Sequence, residues 1–268
     1  MRFEIDNRSA FAATGGGVEN DPDRPLVVLL HGAGMDHSVW ALQSRWLAYH
    51  GWRVLAVDLP GHGRSEGPPL VNIADLADWT IRVLDAAGAA RGALVGHSMG
   101  ALVALEAAAR RPDRVASLTL LGAAETMSVH PDLLEAAGFN AHLAVDMVSL
   151  WSLGPAATLG HNSVPGLWML GGVQRLLERA APGVLHADLS ACDAYRGADA
   201  AKVSCPTTLI HGERDQMTPL KGARALAARI PGARVVVVPG AGHMAMLERP
   251  QATLEALRGA LAAGSRAD

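Results

Sequence analysis

The sequence predicts an α/β fold: a mostly parallel central sheet with helices on both faces and an inserted helical cap. Short, nearly continuous apolar runs recur along the chain, as strands buried on both faces of a parallel sheet require. Helix-like segments alternate with them, which places helices on either side of the sheet. From about residue 125 to residue 202 that rhythm stops, which marks the insertion.

In chain order, "RFEI" and "SAFAAT", before the Gly15-Gly16-Gly17 turn, read as an antiparallel pair at one sheet edge. "PLVVLLHG" and "RVLAVDLPG" are the first two core strands, followed by "ALVGHS" and "RVASLTLLGA". "TTLIHGERD" and "ARVVVVPGAGH" complete the set. Each ends in turn residues. Helices are expected over 38–49, 73–87, 99–110, 220–230 and 251–262. The insertion holds only short helical patches punctuated by "SVHP", "LGP", "SVPG", "LGG" and "APG". A structureless stretch of that length is uncommon in a compact domain, so it reads as a helical subdomain over the strand ends. The expected organisation is a core of 1–124 and 203–268 with a cap at 125–202.

Composition narrows the function classes. Of 268 residues, 50% are apolar and 18% charged, which suits a globular protein with a substantial core. A formal charge of −3 calls for neither nucleic acid nor an anionic membrane as partner. Cys192 and Cys205 are too few for a disulfide framework and lack metal-ligand spacing. The charged N-terminus does not read as a signal peptide, so none is expected, and no apolar run approaches the roughly 20 residues that span a bilayer. A soluble cytoplasmic protein acting on a small molecule is the expectation.

The chemistry concentrates in four places. Gly96-His97-Ser98-Met99-Gly100 fits G-x-S-x-G, where a strand turns sharply into a helix and lifts the serine to the apex. The competing reading is a tight turn with a capping serine; the strand–turn–helix context favours the nucleophile. Asp215 stands beyond the strand "TTLIHG", where catalytic groups gather in open parallel sheets. Glu213 and Glu125 are neighbouring acids, and a cap for the helix near Pro219 is the structural alternative for Asp215. Among eleven histidines, His243 follows both the serine and the acid and ends a core strand. The order Ser98, Asp215, His243 is that expected of this architecture. Met99, after the serine, and Ala33, on "HGAGMDHSVW", are the expected oxyanion donors through their backbone N–H groups, with Gly34 second to Ala33. His31 and His211 read as turn or support residues. His62 lies in a Gly-rich turn, and His130, His142, His161 and His186 lie in the cap.

The stretches "VVLLHGAGMDHSVW", "VLAVDLPGHGRS", "LVGHSMGALVALEAA", "TTLIHGERDQMTP" and "PGAGHMAMLERP" resemble the α/β-hydrolase fold superfamily, in its soluble esterase and C–C-hydrolase-like branch with a helical cap. The resemblance covers about 25–122 and 203–260; the cap matches only in length and helical character. It implies Ser98 as nucleophile, His243 as base, Asp215 as its partner, and Asp58 as a turn residue supporting the oxyanion loop. Haloalkane dehalogenases and epoxide hydrolases carry aspartate where Ser98 stands. No tryptophan follows His243, unlike many C–C hydrolases of aromatic degradation, and the oxyanion loop lacks the proline of perhydrolases.

The expected activity is acyl-enzyme hydrolysis of a neutral, fairly apolar carboxylic ester, thioester or lactone, without metal or cofactor. A C–C hydrolase, a perhydrolase and a weakly catalytic ligand receptor are the alternatives. Neutrality rests on the absence of lysine and arginine between Arg114 and Arg175. Gly34, Met127, Met147, Trp151, Trp168, Met169 and Met244 are the expected pocket residues, with packing among cap helices as the competing role for those in the cap.

Overall fold

The computed structural model describes residues 1–16, 21–158 and 168–264, so His161 and Gly17 lie outside the described residues. The strands are β1 (Arg2–Ile5), β2 (Arg8–Ala13), β3 (Leu26–Leu30), β4 (Arg53–Val57), β5 (Gly92–His97), β6 (Val115–Leu121), β7 (Thr207–Gly212) and β8 (Arg234–Val238). They form one sheet in the order β1-β2-β4-β3-β5-β6-β7-β8. β1 and β2 are antiparallel to each other, β2 to β4, and the remaining pairs are parallel. The apolar runs at 25–32 and 93–98 thus become neighbours at the centre.

Every residue of β3, β4, β5 and β7 is buried, which explains their unbroken apolarity. Successive side chains alternate between two cores. Val28, Leu30, Leu55 and Leu94 pack on one face with α2 (Ile73–Ala86) and α3 (Met99–Arg110). Val27, Leu29, Val54 and Val95 pack on the other, with α1 (Ala41–Tyr49) and α11 (Pro250–Gly264).

The helix expected from residue 38 starts instead as a 3-10 turn, His37–Trp40, because the Asp36 side chain accepts the Ser38 N–H at 2.8 Å. Between β6 and β7 lie α4 (Pro131–Gly138), α5 (His142–Ser152), α6 (Pro155–Thr158), α7 (Met169–Leu177) and α8 (Val184–Ala194). Here α5 packs on α4 and α7, α4 packs on α8, and α8 reaches α3 of the core. After β7 come α9 (Leu220–Arg229), then β8 and a short α10 (Ala245–Glu248) before α11.

The chain leaves β3 toward β4 on one side, whereas β5 lies on the other. Such a reversal opens a crevice at the strand C-termini, where ligands of open α/β sheets bind. Ser98 directly follows the end of β5.

Candidate active site

Ser98 joins β5 to α3 with φ 53° and ψ −119°, a backbone conformation L residues rarely hold. Its N–H donates to the Leu121 carbonyl at 2.9 Å, pinning the turn to the end of β6. The flanking glycines make the turn possible. A Cβ on Gly96 would land on the Gly100 carbonyl, and one on Gly100 would lie 2.5 Å from the Leu30 and His31 carbonyl oxygens. The serine stands at the N-terminus of α3, where backbone N–H groups lack intrahelical partners and the helix dipole favours negative charge. The Met99 side chain is fully buried in the core.

His243 and Asp215 meet from the loops after β8 and β7. The imidazole Nδ1 lies 2.8 Å from Asp215 Oδ2, both side chains being buried. Thr218 Oγ1 donates to the same Oδ2 at 2.8 Å, and the Met217 and Thr218 N–H groups donate to Oδ1 at 3.0 and 2.9 Å. Burial pushes the Asp215 carboxyl up, but the His243 charge, its hydrogen bond and the Thr218 N–H outweigh it and hold it at about 2. It therefore stays ionised and fixes the tautomer with a proton on Nδ1. That leaves Nε2, buried and without a partner among the described residues, on the cavity that Ser98 lines. At the end of β6, Gly122 has φ 56°, and a Cβ there would press on the His243 ring at 2.9 Å.

Support comes from neighbouring histidines. His97 Nε2 lies 3.1 Å from the His243 carbonyl, and burial holds the His97 imidazole well below its ordinary value. His211 Nε2 contacts the Thr218 carbonyl behind Asp215. Neither Glu213 nor Glu125 joins His243: Glu213 accepts the Gly240 N–H at 3.0 Å, and Glu125 pairs with Arg229.

The loop after β3 carries Ala33, which lines the cavity with Ser98. Asp58 braces this loop by accepting the His37 N–H at 2.7 Å and the Arg64 N–H at 2.9 Å. Among the described residues, Asp36, His37 and Asp58 bring metal-ligating atoms within 4.8 Å of one another. Those atoms already have partners: Asp36 with Ser38 and Arg179 outside the cluster, and Asp58 Oδ1 with His37 within it. Gly34 is not available as a donor to the cavity, because its N–H donates to Asp188 of α8 at 2.8 Å.

The cavity is about 380 Å³. Trp151 and Met127 line it, together with Leu133, Val148, Leu185 and Leu189. Four expected pocket residues lie elsewhere. Trp168 and Met169, at the start of α7, line a second cavity of about 370 Å³ with Ser38, Arg175 and Arg179. Met244 is fully buried in the core, its N–H donating to the Ser152 carbonyl at 3.1 Å. Met147 sits about 100° round α5 from Val148 and packs into the apolar core. Gly34 is a fifth departure: a Cβ there would press on Leu185 and Leu177.

Sequence reasoning missed Asp188, Thr218 and Glu248. Glu248 is buried and accepts the Gly242 N–H and the Gly154 N–H, both at 2.9 Å, joining the His243 loop to the end of α5. The readable signal for Asp188 is its position within 185-188-189-192, the apolar stripe of α8, where an acid must find a partner.

A family model described as "Alpha/beta hydrolase family" matches residues 27–256. A putative carbamate hydrolase of Klebsiella pneumoniae is 31% identical over 241 residues, covering 83% of this chain and 85% of that protein. A pimeloyl-[acyl-carrier protein] methyl ester esterase of Aromatoleum aromaticum is 32% identical, covering 85% of this chain and 95% of that one. The solved enol-lactonase of Burkholderia xenovorans superposes with a TM-score of 0.86 at 26% identity, covering 98% of this chain and 100% of that one.

Proposed function

This chain belongs to the alpha/beta hydrolase family and is an enzyme of that class; from that premise we propose that it is a serine hydrolase of neutral, fairly apolar carboxylic esters, thioesters or lactones. Ser98 is its nucleophile, His243 its general base, Asp215 the base's partner, and residues 125–202 its cap. The observation that carries this reading is Ser98 at a strained helix N-terminus, on one cavity with His243, whose Nδ1 is held by a buried carboxylate.

In the first step Ser98 Oγ attacks the substrate carbonyl while His243 Nε2 takes its proton. The carbonyl oxygen, now negative, receives the N–H groups of Met99 and Ala33, each such donor contributing about 3 kcal/mol to the barrier reduction. The tetrahedral intermediate collapses as His243 returns the proton to the leaving alkoxide, giving an alcohol and an acyl-serine. Water then attacks the acyl group, His243 accepting its proton and passing it to Ser98. Acid and free serine are released. No step calls for a metal or an organic cofactor.

Substrate class follows from the lining, which among the described residues carries no lysine or arginine. A carboxylate or phosphate on the substrate would lose its hydration there without a cation to replace it. The likeness to an enol-lactonase brings cyclic esters within the proposal. A fluorophosphonate probe tests the nucleophile: we expect labelling of the wild-type protein at Ser98 and none of Ser98→Ala. Labelling that survives the substitution would overturn the assignment. Hydrolysis of p-nitrophenyl butyrate, with negligible turnover of its succinate monoester counterpart, tests the substrate class.

A further inference from the structure

The chemistry above leaves one buried charged pair unused. Asp188 and His62 are 1% and 2% exposed, one on cap helix α8 and the other on the core loop after β4. Asp188 Oδ2 accepts the Gly34 N–H at 2.8 Å and lies 2.8 Å from His62 Nε2. The other ring nitrogen, Nδ1, lies 3.0 Å from the Pro60 carbonyl. One imidazole thus faces a carbonyl on one side and a carboxylate on the other. A carbonyl and an ionised carboxylate only accept, so a ring bonded to both carries both protons. Neighbouring His31 is the opposite case. It accepts the Leu59 N–H on Nε2 and turns Nδ1 to the Gly32 carbonyl, which defines a neutral ring.

Charges on every side agree. Facing His62 are Asp188 from the cap, Asp58 from the core, and the His31 ring, 4.8 Å away between centroids. Cys192, one turn further along α8, also faces Asp188 but is kept a thiol by burial. Burial pushes the His62 imidazole down, and the Asp188 charge and hydrogen bond outweigh it, so its value is raised. His31 is held at about 4 by burial and by His62.

We propose that Asp188 is a positioning residue for the oxyanion loop, and that a His62 imidazolium–Asp188 carboxylate pair clamps the cap onto the core at Gly34. The inference rests on Ala33 being an oxyanion donor. Gly34 is the next residue, so anchoring its N–H to the cap fixes the peptide plane that follows Ala33. The cap then sets catalytic geometry as well as lining the cavity. When His62 loses its proton with rising pH, the clamp loses its charge, and kcat falls while KM holds.

Two measurements decide it. In histidine-labelled protein at pH 7, the nitrogen shifts of His62 should be those of a doubly protonated ring. A neutral His62 would overturn the clamp whether or not any variant folds. In parallel, Asp188→Asn, which preserves size, should lower kcat on p-nitrophenyl butyrate about 10-fold, below the ~10²–10³-fold cost of losing a donor outright. KM should stay within about twofold, since an interaction made in the transition state is the one weakened. His62→Asn should give a similar loss and abolish the alkaline fall in kcat. Wild-type kcat in a folded Asp188→Asn that still labels at Ser98 would overturn the positioning role. Absence of Ser98 labelling in the wild type would instead defeat the serine-hydrolase reading, and the nitrogen shifts would still judge the clamp. If Asp188→Asn does not fold, His62→Asn and the wild-type pH profile of kcat decide in its place.

Discussion

At the scale of single residues, Asp215 shows how much of the proposed catalytic role would be set by groups that never touch substrate. Its Oδ2 takes both His243 Nδ1 and the Thr218 hydroxyl, and its Oδ1 takes two backbone N–H groups. Replacing Asp215 with Asn keeps the shape but turns a donor toward Nδ1, which inverts the tautomer. A kcat loss of about 10⁴-fold is expected. Thr218→Val removes one donor of four and leaves the carboxylate in place, so a loss nearer fivefold is expected, equivalent to about 1 kcal/mol. Steady-state kinetics on one activated ester checks the ranking, and equal losses would contradict it. The three proposed catalytic residues were legible because each has a local signature, a glycine-flanked turn or a loop at a strand end. Asp188 was not, because its partners stand on two core loops far away in sequence. Only an acid on an apolar helical stripe hinted at it.

At the scale of elements, α5 and α8 wall the cavity with residues at helical spacing: Val148, Trp151 and Ser152 from one, Leu185, Leu189 and Cys192 from the other. The core strands were readable from unbroken apolarity, since both their faces are covered. The helices between β6 and β7 resist such reading because α4, α5 and α8 have two apolar surroundings, neighbouring helices and the cavity. Met147 and Trp151, four residues apart, divide between them, and Trp168 at the start of α7 ends up 67% exposed. If these walls set chain length, substitutions should move specificity without moving chemistry. Leu189→Trp should lower kcat/KM for p-nitrophenyl octanoate by at least about 10-fold and spare the acetate, since one methylene in an apolar site is worth ~1–3 kcal/mol. Trp151→Ala should shift the preferred chain to a longer one. An unchanged profile from acetate to decanoate in both variants would place acyl binding elsewhere.

At the scale of the whole molecule, the buried titratable groups oppose one another about neutrality. His31, His97 and His211 are each held below the ordinary value, first of all by burial, so they are neutral in the fold. Their stabilisation is complete above about pH 6.5 and is lost as pH falls, for His31 between 6.5 and about 4. That one group represents about 3 kcal/mol at 1.36 kcal/mol per pH unit. Asp215, lowered from 3.8 to about 2, adds a further loss below that range, between about 3.8 and 2. Glu248, raised by burial, works the other way on the acid side and offsets part of it. His62 is raised by Asp188, so its contribution is complete below 6.5 and is lost as pH rises through its higher folded value. The raised thiols of Cys192 and Cys205 act only beyond their ordinary value of 9.0. Unfolding free energy should therefore peak near about pH 6.5, with the acid limb steeper because several buried groups act there; on the alkaline side His62 acts together with the exposed His142, raised by Glu178, and against the lowered Met1 ammonium. Urea titrations from pH 4 to 9 measure both limbs. His62→Asn should flatten the alkaline limb between 6.5 and 9 and leave the acid slope as it was. A variant that kept the wild-type alkaline slope would show that His62 gains no charge partner on folding, and the balance proposed for this molecule would fail there.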